Sequence, residues 1–278
     1  MKELNLISSG SPKAEFVLKY VQRCLRLHSD IKVRTSRLSQ NLPTLAIGGD
    51  GTILEAVRRF GGKSPVLGIN AGTLGFLSEI EWQNGSEIWK IFDCWEKGET
   101  RIEECNALQY IVRTHIKTKR GTQRAVVKHG TAFNDVVIAR DSALDCIKFS
   151  VRVNGSLIKS YNADGFVVAS PVGASAYALS CGAPLVEPTS KVMVLSPIAP
   201  HTLVDRSIVA DDDDIVSIAV ERARNPAVKT VMCIDGHERI ELHDGDTMDV
   251  VTSRKNKSRF VRLGGCNFFD RISRKLGV

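Results

Sequence analysis

The 278-residue sequence lacks any uninterrupted apolar run of the length a membrane-crossing helix needs, about 18 residues or more, so no helical membrane span is expected. Its start, MKELNLISSGSPKAEF, lacks the basic segment and apolar stretch of a secretion signal. There is no Cys-x-x-Cys pair and no group of histidines at ligand spacing. The seven cysteines, Cys24, Cys94, Cys105, Cys146, Cys181, Cys233 and Cys266, are odd in number and scattered. That pattern speaks against a disulfide framework and a zinc site, and a reducing, cytoplasmic setting is expected. Repeats and low-complexity segments are missing too.

What is present is ordinary for a soluble globular protein: 43% apolar and 25% charged residues, in a length that suits two modest domains. The net charge of +7 resides in the tail, where eight Lys/Arg from Arg254 onward stand against the single acid Asp270. Aromatic interleaving and a known nucleic-acid module are both missing, so neither a nucleic acid nor a membrane is expected as partner. The tail reads either as a solvated helix face or as a positive rim that attracts a phosphorylated substrate.

Along the first hundred residues, strand-like and helix-like segments alternate. LNLIS, IKVRTS, PTLAIGG and PVLGIN read as strands; SPKAEFVLKYVQRCLRL and TILEAVRRF read as helices, with Ser11 able to cap the first. This β-α-β-β-α-β texture predicts an open, Rossmann-like α/β sheet with ligands at the C-terminal ends of its strands. From about residue 101 to 263 strand follows strand, divided by turn signals at Arg120-Gly121, Asn154-Gly155, Asp235-Gly236 and Asp244-Gly245. An all-β sandwich is expected there. One helical stretch, about 175–184, interrupts it, and a last helix after 265 is expected to return to the first domain. The domains are thus 1–100 with 264–278, and 101–263. The acids Asp211–Asp214 read as an exposed turn, without the spaced oxygens of a calcium loop.

The chemistry concentrates in a few loops. Gly48-Gly49-Asp50-Gly51-Thr52 joins a strand to a helix, where backbone N–H groups favour anions. It satisfies neither the P-loop pattern nor G-x-G-x-x-G, and a glycine turn with a capping Asp would look the same. If it cradles phosphates, Asp50 has two physically sensible roles. It helps hold Mg²⁺ against them, or it accepts the proton of a hydroxyl attacking the terminal phosphorus. Both describe phosphoryl transfer to an alcohol. GINAGTLGFLSEI supplies a second tight loop, with Phe76 able to pack on a flat ring or to staple the loop to the core. Asn134-Asp135 heads a strand; an amide beside a carboxylate suits ribose hydroxyls as well as it suits a turn. SPVGASAY, SPIAPHTL and IDGHE offer small residues and hydroxyls to a planar ligand. A hydrolase triad through His201 or His237 lacks its G-x-S-x-G elbow.

In this order and spacing, GGDGT, GINAGTLGFL, the Asn-acid pair, ADGFVVASPVGASAY, SPIAPHTL and the late Asp-Gly resemble the NAD kinase family across nearly the whole chain. GGDGT alone is shared with lipid kinases and phosphofructokinases; the later blocks are more specific. The resemblance implies that the N-terminal α/β domain, 1–100 with 264–278, binds the phosphate donor and the C-terminal β domain, 101–263, binds NAD, with substrate between them, and it implies homodimers or homotetramers. It implies transfer of the terminal phosphoryl group of ATP, or inorganic polyphosphate, to the 2′-hydroxyl of the adenosine ribose of NAD, with Mg²⁺ or another divalent ion. By position, Asp50 would be the general base, and Gly48, Gly49, Gly51 and Thr52 would face the donor phosphates. Asp50, Gly51 and Phe76 would also meet NAD, Phe76 near the adenine. Asn134 and Asp135 would hold its hydroxyls. Asn162, Asp164, Ser175, Ala176, Tyr177, Ala178, Leu179, Ser180, Ala199 and His237 would complete the dinucleotide pocket. No protein metal ligand is implied. The sequence departs from the family with Asp135 in place of Glu, Val172 and Ser175 within PVGASAY, Ala183 in Gly182-Ala183-Pro184, and Glu55 where a basic residue is frequent. A lipid or sugar kinase, or a non-catalytic nucleotide sensor, are the competing readings.

Overall fold

The computed structural model describes residues 3–27, 31–73, 75–83, 85–117, 123–141, 145–202, 205–223, 225, 227–264 and 267–276. The expected turn at Arg120-Gly121 lies outside the described residues, as do Leu74, Leu203 and Cys266 of the segments above. Two compact units emerge: Met1–Cys105 with Lys257–Val278, and Asn106–Asn256.

The first unit runs β1 (Glu3–Ser8), α1 (Pro12–Leu27), β2 (Lys32–Arg34), β3 (Thr44–Gly48), α2 (Asp50–Arg59), β4 (Val66–Asn70), β5 (Ile80–Glu81) and α3 (Gly85–Lys97), then enters β6 (Thr100–Lys117). β1 pairs β2 and β3 in parallel, β3 pairs β4, and β4 pairs the short β5. Parallel strands are buried on both faces, and β3 and β4 are buried throughout, apolar but for Thr44 and Asn70. Leu45, Ile47, Leu67 and Ile69 face α1 and α3, whose Val17, Val21, Ile88, Ile91, Phe92 and Trp95 cover them. α2 takes the opposite face, where Gly68 makes room: a Cβ there would sit 2.3 Å from the Ile53 side chain. Ser11 caps α1 as expected, its hydroxyl accepting from the Ala14 N–H at 3.3 Å. Helix α3 and strand β5 add to the elements read from sequence.

The second unit continues β6 and adds β7 (Gln123–Ala132), β8 (Asp135–Arg140), β9 (Ile147–Val153), β10 (Ser156–Ala163), β11 (Gly165–Ala169), α4 (Tyr177–Ser180), β12 (Val192–Ile198), β13 (Ile208–Asp211), β14 (Val216–Glu221), β15 (Thr230–Ile234), β16 (Glu238–Leu242) and β17 (Thr247–Leu263). One layer is antiparallel in the order β13-β12-β11-β8-β15-β16; the facing layer holds β10-β9-β14-β17. Between them lies an apolar core built on Val136, Ile138, Phe149, Phe166, Met232 and Met248. This is the expected sandwich. Asn154 and Gly155 both adopt positive φ, the two-residue hairpin turn that their identities favour. The stretch expected to be helical near 175–184 is shorter: a 3-10 turn at Gly173–Ser175, then the single turn α4, closed where Gly182 takes φ +81°. α5 (Phe268–Leu276) follows β17 and belongs to the first unit, where β17 pairs Phe260 with Val66 of β4. Among the described residues, no helix is long and apolar enough to cross a membrane.

Candidate active site

The glycine-acid loop sits where β3 ends. Gly48 is packed so closely that a Cβ would meet the Thr52 hydroxyl at 2.3 Å. Gly49 is the N-cap of α2, and Asp50 is its first residue. Gly51 is exposed and Thr52 half-buried, both in the first turn of α2, where the Thr52 N–H donates to the Gly49 carbonyl at 3.0 Å. Asp50 does not cap its own helix. Its Oδ2 accepts from the Phe76 N–H at 2.7 Å and its Oδ1 from the Leu77 N–H at 3.1 Å. Burial raises its carboxyl above the usual Asp value; the two amides and the charge of Lys275 act against that rise.

The loop that presents these amides is itself fixed. Asn70 accepts from the Gly72 N–H at 2.9 Å and donates to Glu81 at 2.8 Å. Gly72 lies on Gly49, where an added Cβ would be 3.2 Å from the Gly49 Cα. Arg262, only 1% exposed, donates to the Leu77 carbonyl at 3.1 Å, to Glu79 at 3.2 Å and to Glu103 at 2.9 Å. Phe76 is half-buried.

The second unit gathers another set. Asn134 and Asp135 stand at the head of β8, and Asp235 organises them. Its carboxylate accepts from the N–H groups of Phe133 at 3.0 Å, Asn134 at 2.7 Å and Asp135 at 3.2 Å. Asp135 is buried beside it, and burial together with the negative charge of Asp235 pushes its carboxyl up to about 7. The amide oxygen of Asn134 is buried with no hydrogen-bond partner among the described residues, an acceptor awaiting a donor. Ser170 donates to the Phe133 carbonyl at 2.7 Å and accepts from the Gly173 N–H at 3.1 Å. Gly173 is pressed onto Asn134, for a Cβ there would lie 2.1 Å from its carbonyl oxygen. Asp164 is held by a two-pronged pair with Arg140, both contacts at 2.8 Å. Tyr177 is exposed, and partial burial of its phenol, with Cys181 and the charges of Asp164 and Asp135, raises it above the usual tyrosine value.

The remaining sequence candidates fall around this set. Ser175 donates to the Val172 carbonyl at 3.1 Å. Ala176 and Leu179 are half-buried and Ser180 exposed, whereas the Ala178 side chain packs into the apolar cluster under α4. Asn162 is exposed on β10; its carbonyl accepts from the His201 N–H at 2.9 Å, and the Asp164 N–H donates to Ile198 at 3.0 Å. Those bonds tie the 162–164 segment to the loop carrying Ala199, which adopts φ +42°. His237 is exposed beside the Asp235-Gly236 turn. Sequence reasoning named Asp235 as a turn and as part of the late Asp-Gly motif without giving it a site role, and did not single out Arg140, Lys275, Glu81 or Arg262. For Asp235 a signal existed, the Asp-Gly pair in IDGHE.

Residues 39–92 match the family model described as the ATP-NAD kinase N-terminal domain, and 133–263 match the ATP-NAD kinase C-terminal domain. An NAD kinase of Moorella thermoacetica is 36% identical over 84% of this chain and 70% of its own length. One of Gemmatimonas aurantiaca is 32% identical over 99% of this chain and 90% of its own. The fold matches the crystal structure of yeast NADH kinase complexed with NADH, with a TM-score of 0.77 at 22% identity over 100% of this chain and 88% of that one. It also matches an Archaeoglobus fulgidus NAD kinase in complex with ATP, with a TM-score of 0.68 at 21% identity over 99% and 96%. On these matches through both halves, the chain belongs to the NAD kinase family of phosphotransferases.

Proposed function

We propose that this NAD kinase transfers the terminal phosphoryl group of ATP to the 2′-hydroxyl of the adenosine ribose of NAD, with Asp50 as the base. The observation that carries the reading is the Asp50 carboxylate, fixed by two amides at the start of α2 and made more basic by burial. A carboxylate so held keeps lone pairs for a third donor, the attacking hydroxyl. The 2′-oxygen forms the new P–O bond, its proton passes to Asp50, and the bond to the bridging oxygen breaks to release ADP. Catalysis rests mainly on alignment of the two reactants. Gly48, Gly49, Gly51 and Thr52 form the cradle for the donor phosphates. Asn134, Asp135, Asn162, Asp164, Ser175, Tyr177, Ser180, Ala199 and His237 bind NAD, with Phe76 near the adenine. The unpartnered Asn134 amide oxygen supports a hydroxyl donor there.

Near α2, Asp50 is engaged by two amides, and Glu81 by Asn70 and Lys275. Among the described residues, the one convergent group of three acids is Asp211–Asp213, which is mostly exposed and paired in part with Arg254. In keeping with the family resemblance, the divalent ion comes with the donor phosphates, and no step is routed through a protein-held metal. Exposed Ile208 and Val209 on β13 and Leu157 and Ile158 on β10 support association of copies into a dimer or tetramer. The deciding assay incubates the enzyme with NAD, Mg²⁺ and either ATP or polyphosphate and looks for NADP. Asp50→Asn should leave NAD binding nearly intact and lower turnover by roughly 10²–10⁴-fold; near-normal turnover in that variant removes Asp50 from the role.

A further inference from the structure

A loop that cradles phosphates usually brings a cation, and Gly48–Thr52 brings an acid. Transfer of an anionic group beside a carboxylate needs positive charge close by. The structure supplies it from the other end of the chain. Lys275, in the last turn of α5, pairs with Glu81 and reaches the Ser78 hydroxyl at 3.4 Å. Ser78 directly follows Leu77, whose N–H holds Asp50.

A cavity of about 250 Å³ opens at this point, lined in part by Thr73, Ser78, Glu79, Glu81, Arg271 and Lys275. The two cations on its wall differ. Arg271 is 4% exposed and paired with Glu103, itself bound to Arg262, so its charge is committed to the interior. Among the described residues, the acid paired with Lys275 is Glu81, and Glu81 does not depend on Lys275. Its side chain is 38% exposed, and Asn70 donates to its other oxygen at 2.8 Å. The ammonium can therefore leave without stranding a buried carboxylate. A lysine offers three donors on a flexible stem, which suits reaching a phosphate chain.

We propose that Lys275 is the donor-binding lysine of this site, its ammonium moving from Glu81 onto the polyphosphate chain of the donor. The lysine absent from the glycine loop thus arrives from α5. This rests on the phosphoryl-transfer reading above, since it gives Lys275 a role only if donor phosphates lie by Asp50.

The test begins with wild-type enzyme, which must make NADP from NAD and ATP. If it does not, the reading itself fails, whatever Lys275 does. With wild-type turnover in hand, Lys275→Met should raise the KM for ATP by about 10- to 100-fold, the size expected for a lost charged hydrogen bond. The KM for NAD should stay within about twofold, and Lys275→Arg should restore most of the ATP affinity. An ATP KM unchanged in Lys275→Met overturns the proposal. Should that variant fail to fold, wild-type enzyme answers the question through acetic anhydride labelling read by peptide mass spectrometry. ATP without NAD should lower Lys275 labelling several-fold and NAD alone should not; equal labelling with and without ATP overturns it.

Discussion

Asp135 gives the sharpest test of the electrostatics. Its carboxyl is buried against Asp235 and releases its proton only near pH 7 in the folded chain, against an ordinary value of 3.8. An unfolded chain loses that proton first, so stability falls as pH rises from about 4 to about 7 and levels off above. Each pH unit of the gap is worth ~1.4 kcal/mol, which puts the cost of ionised Asp135 on the order of 4 kcal/mol at pH 8 and about 1.5 kcal/mol at pH 5. The other titratable groups that influence it or that it influences are Tyr177, Cys181 and Cys233, all with their protons held more tightly than usual and so neutral across this range. Asp135→Asn removes the ionisation and leaves the shape. Its gain over wild type should be larger at pH 8 than at pH 5 by roughly 2–3 kcal/mol, or about 5 °C in Tm for a chain of this size. Thermal unfolding followed by circular dichroism at the two pH values measures it. A Tm difference between variant and wild type that is the same at both pH values refutes the reasoning. The substitution also removes a carboxylate acceptor from the proposed NAD pocket, so the KM for NAD should rise while stability increases.

Two further outcomes follow from packing. In Gly173→Ala the new methyl would start 2.1 Å from the Asn134 carbonyl, a backbone atom that cannot swing aside; NAD affinity measured by calorimetry should fall by about tenfold or more with a lowered Tm, and wild-type affinity would refute the packing. Arg262→Met leaves Glu79 and Glu103 short of a counter-ion in the interior and should cost about 3–5 kcal/mol in urea unfolding. Arg262→Lys should recover little of that, because one ammonium cannot serve the Leu77 carbonyl and both acids in the same fork; full recovery would show that charge alone matters there.

Elements with one dominant local signal were legible in the sequence. The glycines ending β3 and the periodicity of α1 and α2 marked them, and the Asn154-Gly155 turn announced its hairpin. Helix α3 was not, although Ile88, Ile91, Phe92 and Trp95 follow helical spacing. Aromatic and β-branched residues have weak helix propensity, and burial against β3 and β4 supplies what propensity does not. Strand β10 carries only half a pattern: Tyr161 and Ala163 are buried and alternate with exposed Ser160 and Asn162, but Ser156, Leu157 and Ile158 are all exposed. At the site, the odd charge of Asp50 was visible, but its partners are main-chain N–H groups, which no residue letter records. Nor does sequence spacing reveal that the basic tail is divided, with Arg262 and Arg271 serving as interior counter-ions and Lys275 facing a cavity.

That division bears on how the polypeptide matures during synthesis. Asn106–Asn256 is one continuous stretch and can acquire its core as soon as it leaves the ribosome. The earlier-made unit cannot, because its last strand segment and helix are translated about 150 residues later. Until Arg262 and Arg271 emerge, Glu79 and Glu103 have no interior cations to receive them and stay in water. Bringing the ends together across that intervening stretch adds only a slowly growing, logarithmic entropy term. The nascent chain should therefore hold the half carrying Asp50 open until translation nears its end, and a chain ended before residue 257 would, once released, carry a β-sandwich joined to an unfinished kinase.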